Sequence, residues 1–279
     1  MGAVTGAVNE LFRRRFGYGA VAELKLLKHH KRDWLRVRRL ERKLGRQLAP
    51  LGRAGVATIV PTLGRPGLPD AVSSALAQGF DGGHRVVVVS DGPVGLPPLP
   101  KDERVSVVAL PEAIKCPGAM RNIGMSLVSS DYVAFLDEDN TWERDHLSTS
   151  IKALDQSGAD ISYSSCRCVT AQGGTADMWG GAWDHRRLGD KNYVDTSGIV
   201  IRRRHRYAWS RYPHGTRGKD GFAEDWALMF WYGFFRRVVF TGKATVNYTL
   251  GEKHLGAGAR AGPAGLSSAL AGGRRPAAP

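Results

Sequence analysis

The sequence has 279 residues and a net charge of +14, with 42% hydrophobic and 24% charged residues. This composition is ordinary for a globular protein, and the length allows one large α/β domain or two small ones. No apolar run is long enough to cross a bilayer, and residues 1–8 lack the basic-then-apolar layout of a signal peptide. The three cysteines, Cys116, Cys166 and Cys168, indicate neither a disulfide framework nor a zinc site, so we expect a cytoplasmic protein.

The basic character is concentrated at the start of the chain. Residues 1–53 contain fourteen Lys/Arg against four Asp/Glu, which gives +10 of the +14. Within residues 20–48, apolar residues recur at spacings of three or four, and this predicts a basic amphipathic helix. The apolar stripe consists of Leu24, Leu27, Trp34, Val37, Leu40, Leu44 and Leu48.

Three interpretations of this helix stay open. Its apolar stripe packs on the main domain, or the helix lies on an anionic membrane surface, for example the inner face of the cell membrane. The third interpretation is nucleic-acid binding, which we do not expect because no nucleic-acid motif is present and aromatic residues are sparse in this segment.

Short apolar runs then alternate with helical segments. The predicted strands are 56–60, 85–89, 105–110 and 132–136, and the predicted helices are 70–78 and 118–129. This order predicts an α/β fold with a mainly parallel sheet flanked by helices. In such sheets ligands bind beyond the carboxyl ends of the strands. Thr62, Asp91 and Asp137–Asp139 all follow predicted strands directly, which favours a nucleotide site.

Three consecutive acids end the fourth predicted strand. Asp137, Glu138 and Asp139 follow the apolar run 132–136. Adjacent carboxylates repel one another, and a bound divalent cation would relieve that repulsion. The alternative is an acidic, solvated turn.

The second half of the chain is less regular. The predicted strands are 161–166, 194–201, 238–240 and 244–248, and residues 222–235 form an aromatic-rich helix. The end of the chain is rich in Gly, Ala and Pro, which predicts a flexible tail.

Six short motifs in one order resemble a known family. They are Thr58-Ile-Val-Pro-Thr62 with Arg65, Ala75-Leu-Ala-Gln78, Val88-Val-Ser-Asp91-Gly92, Gly118-Ala-Met-Arg121-Asn122-Ile-Gly124, Phe135-Leu-Asp137-Glu138-Asp139 and Glu224-Asp225-Trp226. Together they resemble the GT-A-fold glycosyltransferases of family 2, which are inverting enzymes with nucleotide-sugar donors. The resemblance implies a Rossmann-like GT-A domain and a hexosyltransferase-like activity. It divides the chain into a basic extension (1–54), a GT-A domain (55–250, with a nucleotide half 55–140 and an acceptor half 141–250) and the tail (251–279).

The resemblance also implies roles for individual residues. It assigns the nucleotide site to Pro61, Thr62, Arg65, Asp91, Arg121, Asn122, Asp137 and Glu138. Asp137 and Asp139 form a DxD motif for Mn²⁺ or Mg²⁺, with His254 as an additional ligand, and Asp225 accepts the proton of the acceptor hydroxyl. Among donors, a UDP-sugar is expected in preference to a GDP- or dTDP-sugar.

Structural alternatives accompany these roles. Asp91 before Gly92 is also typical of a turn, and Arg121–Asn122 of a cap with a salt bridge. Glu224–Asp225 is also typical of a helix N-terminus, and His254 of a solvated side chain.

The acceptor is open from sequence: a glycan, a lipid-linked glycan or a natural product. No Gln-x-x-Arg-Trp processivity motif is found, so we expect a single transfer. Trp179, Trp183 and His185 either stack on an acceptor sugar or belong to core packing. A non-catalytic nucleotide or sugar binder remains an alternative. A sugar-phosphate nucleotidyltransferase is disfavoured, because the loop 61–67 lacks a double glycine and a following lysine.

Overall fold

A computed structural model of the protein describes residues 28, 30–170, 174–212 and 224–250. The helices are α1 (30–47), α2 (Leu68–Leu76), α3 (Pro117–Leu127), α4 (His146–Ser157), α5 (His185–Asp190) and α6 (Glu224–Gly233). The strands are β1 (Arg53–Thr62), β2 (His84–Ser90), β3 (Val105–Ala109), β4 (Ser129–Phe135), β5 (Asn140–Trp142), β6 (Ile161–Val169), β7 (Thr175–Trp179), β8 (Ile199–Arg202) and β9 (Val238–Thr249). Within the described residues these strands form one sheet in the order β3-β2-β1-β4-β8-β6-β9-β5, with β7 paired to β6.

The first four strands are parallel, and this confirms the predicted α/β architecture for the first half of the chain. Their carboxyl ends therefore meet at one edge of the sheet. The second half extends the sheet from β4 with antiparallel β8 and then antiparallel β6, while β9 runs parallel to β6. The whole sheet is consequently mixed.

The second half differs in detail from the prediction. The strand predicted at 194–201 is confined to β8, because a 3-10 turn at Thr196–Gly198 precedes it. The two closing strands predicted at 238–240 and 244–248 are one strand, β9, whose pairing with β6 is irregular. Two helices, α4 and α5, and two short strands, β5 and β7, were not predicted.

Alternate strand residues contact different helices, because successive side chains of a strand point to opposite faces. In β1, Ala57 and Ile59 belong to the core that holds α1, α3 and α6. Val56 and Val60 belong to the core that holds α2 and α4. Gly124 lets α3 approach β1 closely, since a Cβ atom there would lie 2.6 Å from Ile59 Cγ2. Both faces of the sheet are thus covered.

Helix α1 packs its apolar stripe on the domain. Val37 and Leu44 are 3% and 0% exposed and belong to the core with α3. The Glu41 carboxylate accepts two hydrogen bonds from the Arg211 guanidinium, both at 2.7 Å. Residues 1–27 and 29, which include Leu24 and Leu27, lie outside the described residues. A membrane contact through residues 20–48 stays a prediction. Within the described part of the chain, no helix has the length and apolarity needed to cross a bilayer.

This packing predicts a stability effect. Leu44→Ala should lower the free energy of unfolding by about 2–5 kcal/mol, because it leaves a cavity in a closed core. Arg39→Ala on the exposed side of α1 is the matched control and should change it by less than about 0.5 kcal/mol. Urea unfolding of both variants measures the difference. Equal stability of the two variants would contradict the docking of α1.

Candidate active site

A cavity of about 550 Å³ opens at the edge where β1, β2 and β4 end. Its lining residues are Pro61, Thr62, Leu63, Arg65, Asp91, Ala113, Lys115, Pro117, Met120, Arg121, Asp137, Glu138, Asp139 and Glu224. We call it the donor cavity. The structure thus brings together most of the site residues expected from sequence. Asn122 and Asp225 do not line the cavity, and His254 lies outside the described residues.

Glu138 holds the loop that follows β1. Its Oε2 atom accepts hydrogen bonds from Thr62 Oγ1 at 2.5 Å and from the Arg65 backbone N–H at 2.9 Å. Its Oε1 atom accepts one from the Leu63 backbone N–H at 3.1 Å. A carboxylate that accepts several N–H and O–H bonds is strongly anchored. Glu138 therefore shapes the cavity wall, and its predicted contact with the nucleotide stays a prediction.

Arg121 bonds to two carboxylates at the floor of the cavity, one after β4 and one on α6. Its Nη2 donates to Asp137 Oδ1 and its Nη1 to Glu224 Oε1, both at 2.5 Å, while only 3% of the Arg121 side chain is exposed. Burial alone would lower the pKa of Arg121, but the carboxylates of Asp137 and Glu224 outweigh that effect and the pKa is raised. Burial also raises the pKa of Asp137, with Arg121 opposing and Asp139 and Glu224 adding to the shift. Arg121 therefore neutralises a crowded set of acids.

Asp139 is the most accessible acid of the loop. Its side chain is 49% exposed, and Oδ2 accepts a hydrogen bond from Arg65 Nη1 at 3.2 Å. Asp137, two residues before Asp139 in the chain, lines the same cavity. Among the described residues, no group of three or more His, Cys, Asp or Glu side chains is arranged to hold a metal ion. The described residues thus offer the carboxylates of Asp137 and Asp139 here and no complete metal cage.

Asp91 fixes the opposite wall of the cavity. Its Oδ1 accepts from the Ile114 backbone N–H at 2.6 Å and its Oδ2 from the Lys115 backbone N–H at 3.0 Å. Lys115 has a φ of +52°, a left-handed conformation that costs energy outside glycine. The Asp91 carboxylate thereby holds Lys115 at the cavity. The predicted nucleotide contact of Asp91 stays a prediction.

Asn122 lies on another side of α3, so its expected place in the nucleotide site is corrected. Its Nδ2 donates to Glu41 Oε2 and to the Trp209 carbonyl, both at 3.1 Å. Its Oδ1 accepts from the Trp209 backbone N–H at 2.8 Å. These bonds tie α3 to α1 and to the segment after β8. Asn122 does not cap α3 either, because the N-cap position is Cys116.

Asp225 is buried at the start of α6, beside Glu224. Its Oδ1 accepts from the Trp226 backbone N–H at 2.6 Å and from Asn192 Nδ2 at 3.2 Å. Burial raises the pKa of Asp225 to about 6, and the charges of Glu224 and Asp137 add to the rise. A carboxylate with this pKa is suited to accept a proton near neutral pH.

The aromatic residues considered for sugar stacking are engaged in packing. The Trp183 ring lies 6.0 Å from the Tyr163 ring and 5.9 Å from the His185 ring. His185 Nε2 is 2.9 Å from the Phe230 carbonyl, and the Trp179 ring contacts the Tyr248 ring at 6.2 Å. The packing interpretation therefore accounts for the contacts of these side chains.

Comparison with known proteins identifies the family. The family model described as glycosyl transferase family 2 matches residues 58–240. This range holds the whole donor cavity and Asp225. The chain belongs to glycosyl transferase family 2.

Individual relatives agree with this family 2 assignment. The succinoglycan biosynthesis protein ExoW of Rhizobium meliloti (strain 1021) is 32% identical over 101 residues, which are 34% of this chain and 32% of ExoW. The structure of S. aureus TarS 1–349 in complex with UDP-GlcNAc has a TM-score of 0.53 at 17% identity, over 71% of this chain and 59% of TarS 1–349. The complex of TarS 1–349 with UDP has a TM-score of 0.51 at 16% identity, over 72% and 62%. These structures show the GT-A-like fold. The chain spans about a third of ExoW and less than two thirds of TarS 1–349.

Sequence reasoning missed several residues of this family 2 site. Lys115 and Glu224 line the donor cavity. Residues 137–139 form the acid loop after β4. Ser197 connects this loop to the segment before β8, since its Oγ accepts from the Asp137 backbone N–H at 3.2 Å and from Asn140 Nδ2 at 2.9 Å. Asp195 accepts from the Ser197 backbone N–H at 2.8 Å. Only the polar run 195–197 inside a predicted strand could have drawn attention to this connection.

Proposed function

We propose that this family 2 protein transfers one sugar from a nucleotide diphosphate sugar to an acceptor hydroxyl, with inversion. The observation that carries the proposal is the convergence of Asp91, Arg121, Asp137 and Asp139 on one cavity at the carboxyl edge of the parallel strands. Its volume of about 550 Å³ falls in the range of small-molecule sites. The family assignment supports the reaction class, and the complexes of TarS 1–349 with UDP-GlcNAc and with UDP support a UDP-sugar donor.

The acid loop could hold a divalent cation through two carboxylates. Asp137 and Asp139 supply carboxylate oxygens, which Mg²⁺ and Mn²⁺ prefer. Mg²⁺ commonly binds through one or two carboxylates and completes its shell with phosphates and water, so two protein ligands suffice when the donor is present. When bound, the cation would offset the negative charge that the departing nucleoside diphosphate gains.

The remaining side chains bind and orient the donor. Arg65 and Lys115 bring positive charge to the cavity wall, where a diphosphate would be attracted. Glu138 and Asp91 hold the backbone of the two loops that carry these cations. Arg121 keeps Asp137 in place from below. The cavity is thus pre-organised for an anionic donor before binding.

Asp225 is the proposed general base. It stands beside Glu224, which lines the donor cavity, and its own carboxylate is buried with a raised pKa. In this role Asp225 Oδ takes the proton from the acceptor hydroxyl as that oxygen attacks the sugar carbon and the nucleoside diphosphate leaves. Attack from the face opposite the leaving group gives inversion.

A nucleotide-binding screen tests the donor assignment. We expect UDP with Mn²⁺ to raise the melting temperature, with a smaller effect of GDP or dTDP and of UDP without metal. A nucleotide concentration of about a hundred times Kd corresponds to roughly 2.7 kcal/mol of stabilisation. Asp139→Asn should lose the metal-dependent part of the shift, because it removes an accessible carboxylate of the acid loop.

The matched control is Asp131→Asn, an exposed aspartate on β4 near the other end of the strand. It should keep the full shift. Absence of any shift with the three nucleotides, or an unchanged metal-dependent shift in Asp139→Asn, would overturn the proposed donor site. A sugar panel with the preferred nucleotide, read out as nucleoside diphosphate release, then separates an enzyme from a non-catalytic binder.

A further inference from the structure

A second cavity, of about 440 Å³, lies beside α3 away from the donor cavity. Its lining residues are Glu41, Asn122, Met125, Ser126, Val133, Ile201, Arg203, Arg204, His205, Arg206, Tyr207, Ala208 and Arg211. We call it the basic cavity. Within the described residues, the two cavities share no lining residue: Arg121 faces the donor cavity and its neighbour Asn122 the basic cavity.

Part of the positive charge of the basic cavity has no ion-pair partner among the described residues. Arg211 is paired with Glu41, the one acid among the described lining residues, and His205 Nε2 lies 3.5 Å from Asp160 Oδ1. For Arg203, Arg204 and Arg206, no carboxylate of residues 30–170, 174–212 or 224–250 lies within ion-pair distance. The Arg203 guanidinium donates only to the Val128 carbonyl, and partial burial lowers the pKa of Arg203 without an opposing acid. Three arginines around one concavity are therefore available to a ligand.

We propose that the basic cavity binds a phosphate group of an anionic ligand. Guanidinium groups form paired, charge-assisted hydrogen bonds with phosphate oxygens, and several of them around one phosphate add to affinity. The volume of about 440 Å³ exceeds that of a phosphate ion and suits a phosphate with an organic group attached. This site goes beyond the proposed transfer reaction, since neither the donor nor Asp225 belongs to it.

The surroundings favour the headgroup of an anionic membrane lipid as the source of that phosphate. Tyr207 of the cavity packs against Tyr232 of α6 with ring centroids 4.9 Å apart. Three residues after Tyr232, Phe235 is 75% exposed. An exposed aromatic side chain that adjoins arginines, here Arg236 and Arg237 in sequence, is typical of a surface that meets the interface of a bilayer. The exposed basic residues of α1, which also borders the cavity through Glu41, add long-range attraction to an anionic surface.

The test compares vesicle binding by the full chain and by Arg204→Gln/Arg206→Gln. We expect the protein to sediment with vesicles of phosphatidylglycerol and phosphatidylcholine in equal parts, and not with phosphatidylcholine alone. The double variant should bind roughly thirtyfold more weakly, since each basic residue near an anionic surface contributes a factor of about five. Lys101→Gln/Lys152→Gln removes the same charge from exposed positions elsewhere. Its affinity for the vesicles should lie within about threefold of that of the unchanged protein.

A second arm separates the lipid from a soluble source. Calorimetry with inorganic pyrophosphate and no metal, with excess UDP present to occupy the donor cavity, should show binding to the unchanged protein that the arginine variant loses. If pyrophosphate binds in this way and vesicles do not, the phosphate site stands with a soluble ligand. Thermal melting of all variants confirms that they fold, and Arg204→Glu/Arg206→Glu should deepen the loss. An equal loss in the lysine control, or no binding of vesicles and pyrophosphate by the unchanged protein, would overturn the proposal.

Discussion

Asp225→Asn is expected to lower turnover by orders of magnitude while it leaves donor binding intact. Asparagine keeps the size of the side chain and an oxygen for the bonds from Asn192 and Trp226, but it cannot accept a proton in the transition state. A positioned general base contributes about 10²–10⁴-fold to rate, so kcat should fall by that factor. Because Asp225 does not line the donor cavity, Kd for the nucleotide should change little. Nucleoside diphosphate release measures kcat, and calorimetry measures Kd.

The same residue predicts the pH dependence of the reaction. Burial raises the pKa of Asp225 to about 6, and only the ionised carboxylate accepts the proton. The value of kcat/KM should therefore rise with pH and level off above about 6. Below that value it should fall about tenfold per pH unit, because the profile of kcat/KM follows ionisation in the free enzyme. The residual activity of Asp225→Asn should lack this acid limb.

Asp184→Asn is a matched control for this variant. Asp184 also stands at a helix N-terminus, where it accepts from the Arg186 and Arg187 backbone N–H groups, and it lies outside the donor cavity. Its substitution should leave kcat within about twofold of the unchanged protein, as expected for a surface position away from the chemistry. If Asp225→Asn kept more than a tenth of the rate together with the acid limb, the base would have to be another carboxylate.

The first half of the fold was predictable because its information is local. The strands β1, β2 and β4 are buried on both faces and therefore appear as continuous apolar runs. Helix α4 has buried Leu147, Ile151 and Leu154 at helical spacing, but its many polar residues hid that pattern. In the second half, β6 lies between β8 and β9, and this order depends on pairing between segments that are distant in sequence. No local pattern encodes such a pairing.

Only the site residues that belong to recognisable motifs could be predicted from the sequence. The resemblance located most of the donor cavity, yet adjacent residues of a motif do not share one location. Consecutive residues of an α-helix point about 100° apart, so Arg121 reaches the acids while Asn122 reaches Trp209. The partner of Arg121 on α6 is 103 residues away in sequence. The contact between Glu224 and Arg121 could therefore be recognised only once the two helices were placed in space.

Arg121→Met should be the most destabilising substitution of the site. The methionine fills part of the space, but Asp137 and Glu224 lose the guanidinium that bonds to both of them at 2.5 Å. Removing one partner from a buried ion pair typically costs about 3–5 kcal/mol, because the remaining charge stays desolvated. We expect a loss of that size in the free energy of unfolding near neutral pH, measured by urea unfolding. Arg53→Met, which breaks the exposed pair with Asp131, should cost less than about 1 kcal/mol.

The pH dependence of the Arg121→Met loss separates charge from packing. Burial raises the pKa of Asp137 and Arg121 opposes that rise, so without Arg121 the Asp137 carboxyl holds its proton more tightly in the folded state than in the unfolded state. Stability must then fall as pH rises through the window between the unfolded-state and folded-state pKa values of Asp137, and it must recover as pH falls and that carboxyl becomes neutral. Arg121→Met/Glu224→Gln, which removes one of the stranded charges, should regain part of the loss at neutral pH. A loss that is the same at acidic and neutral pH, and that Glu224→Gln does not reduce, would mean that Arg121 stabilises the fold by its packing on Trp209 and not by neutralising the acids.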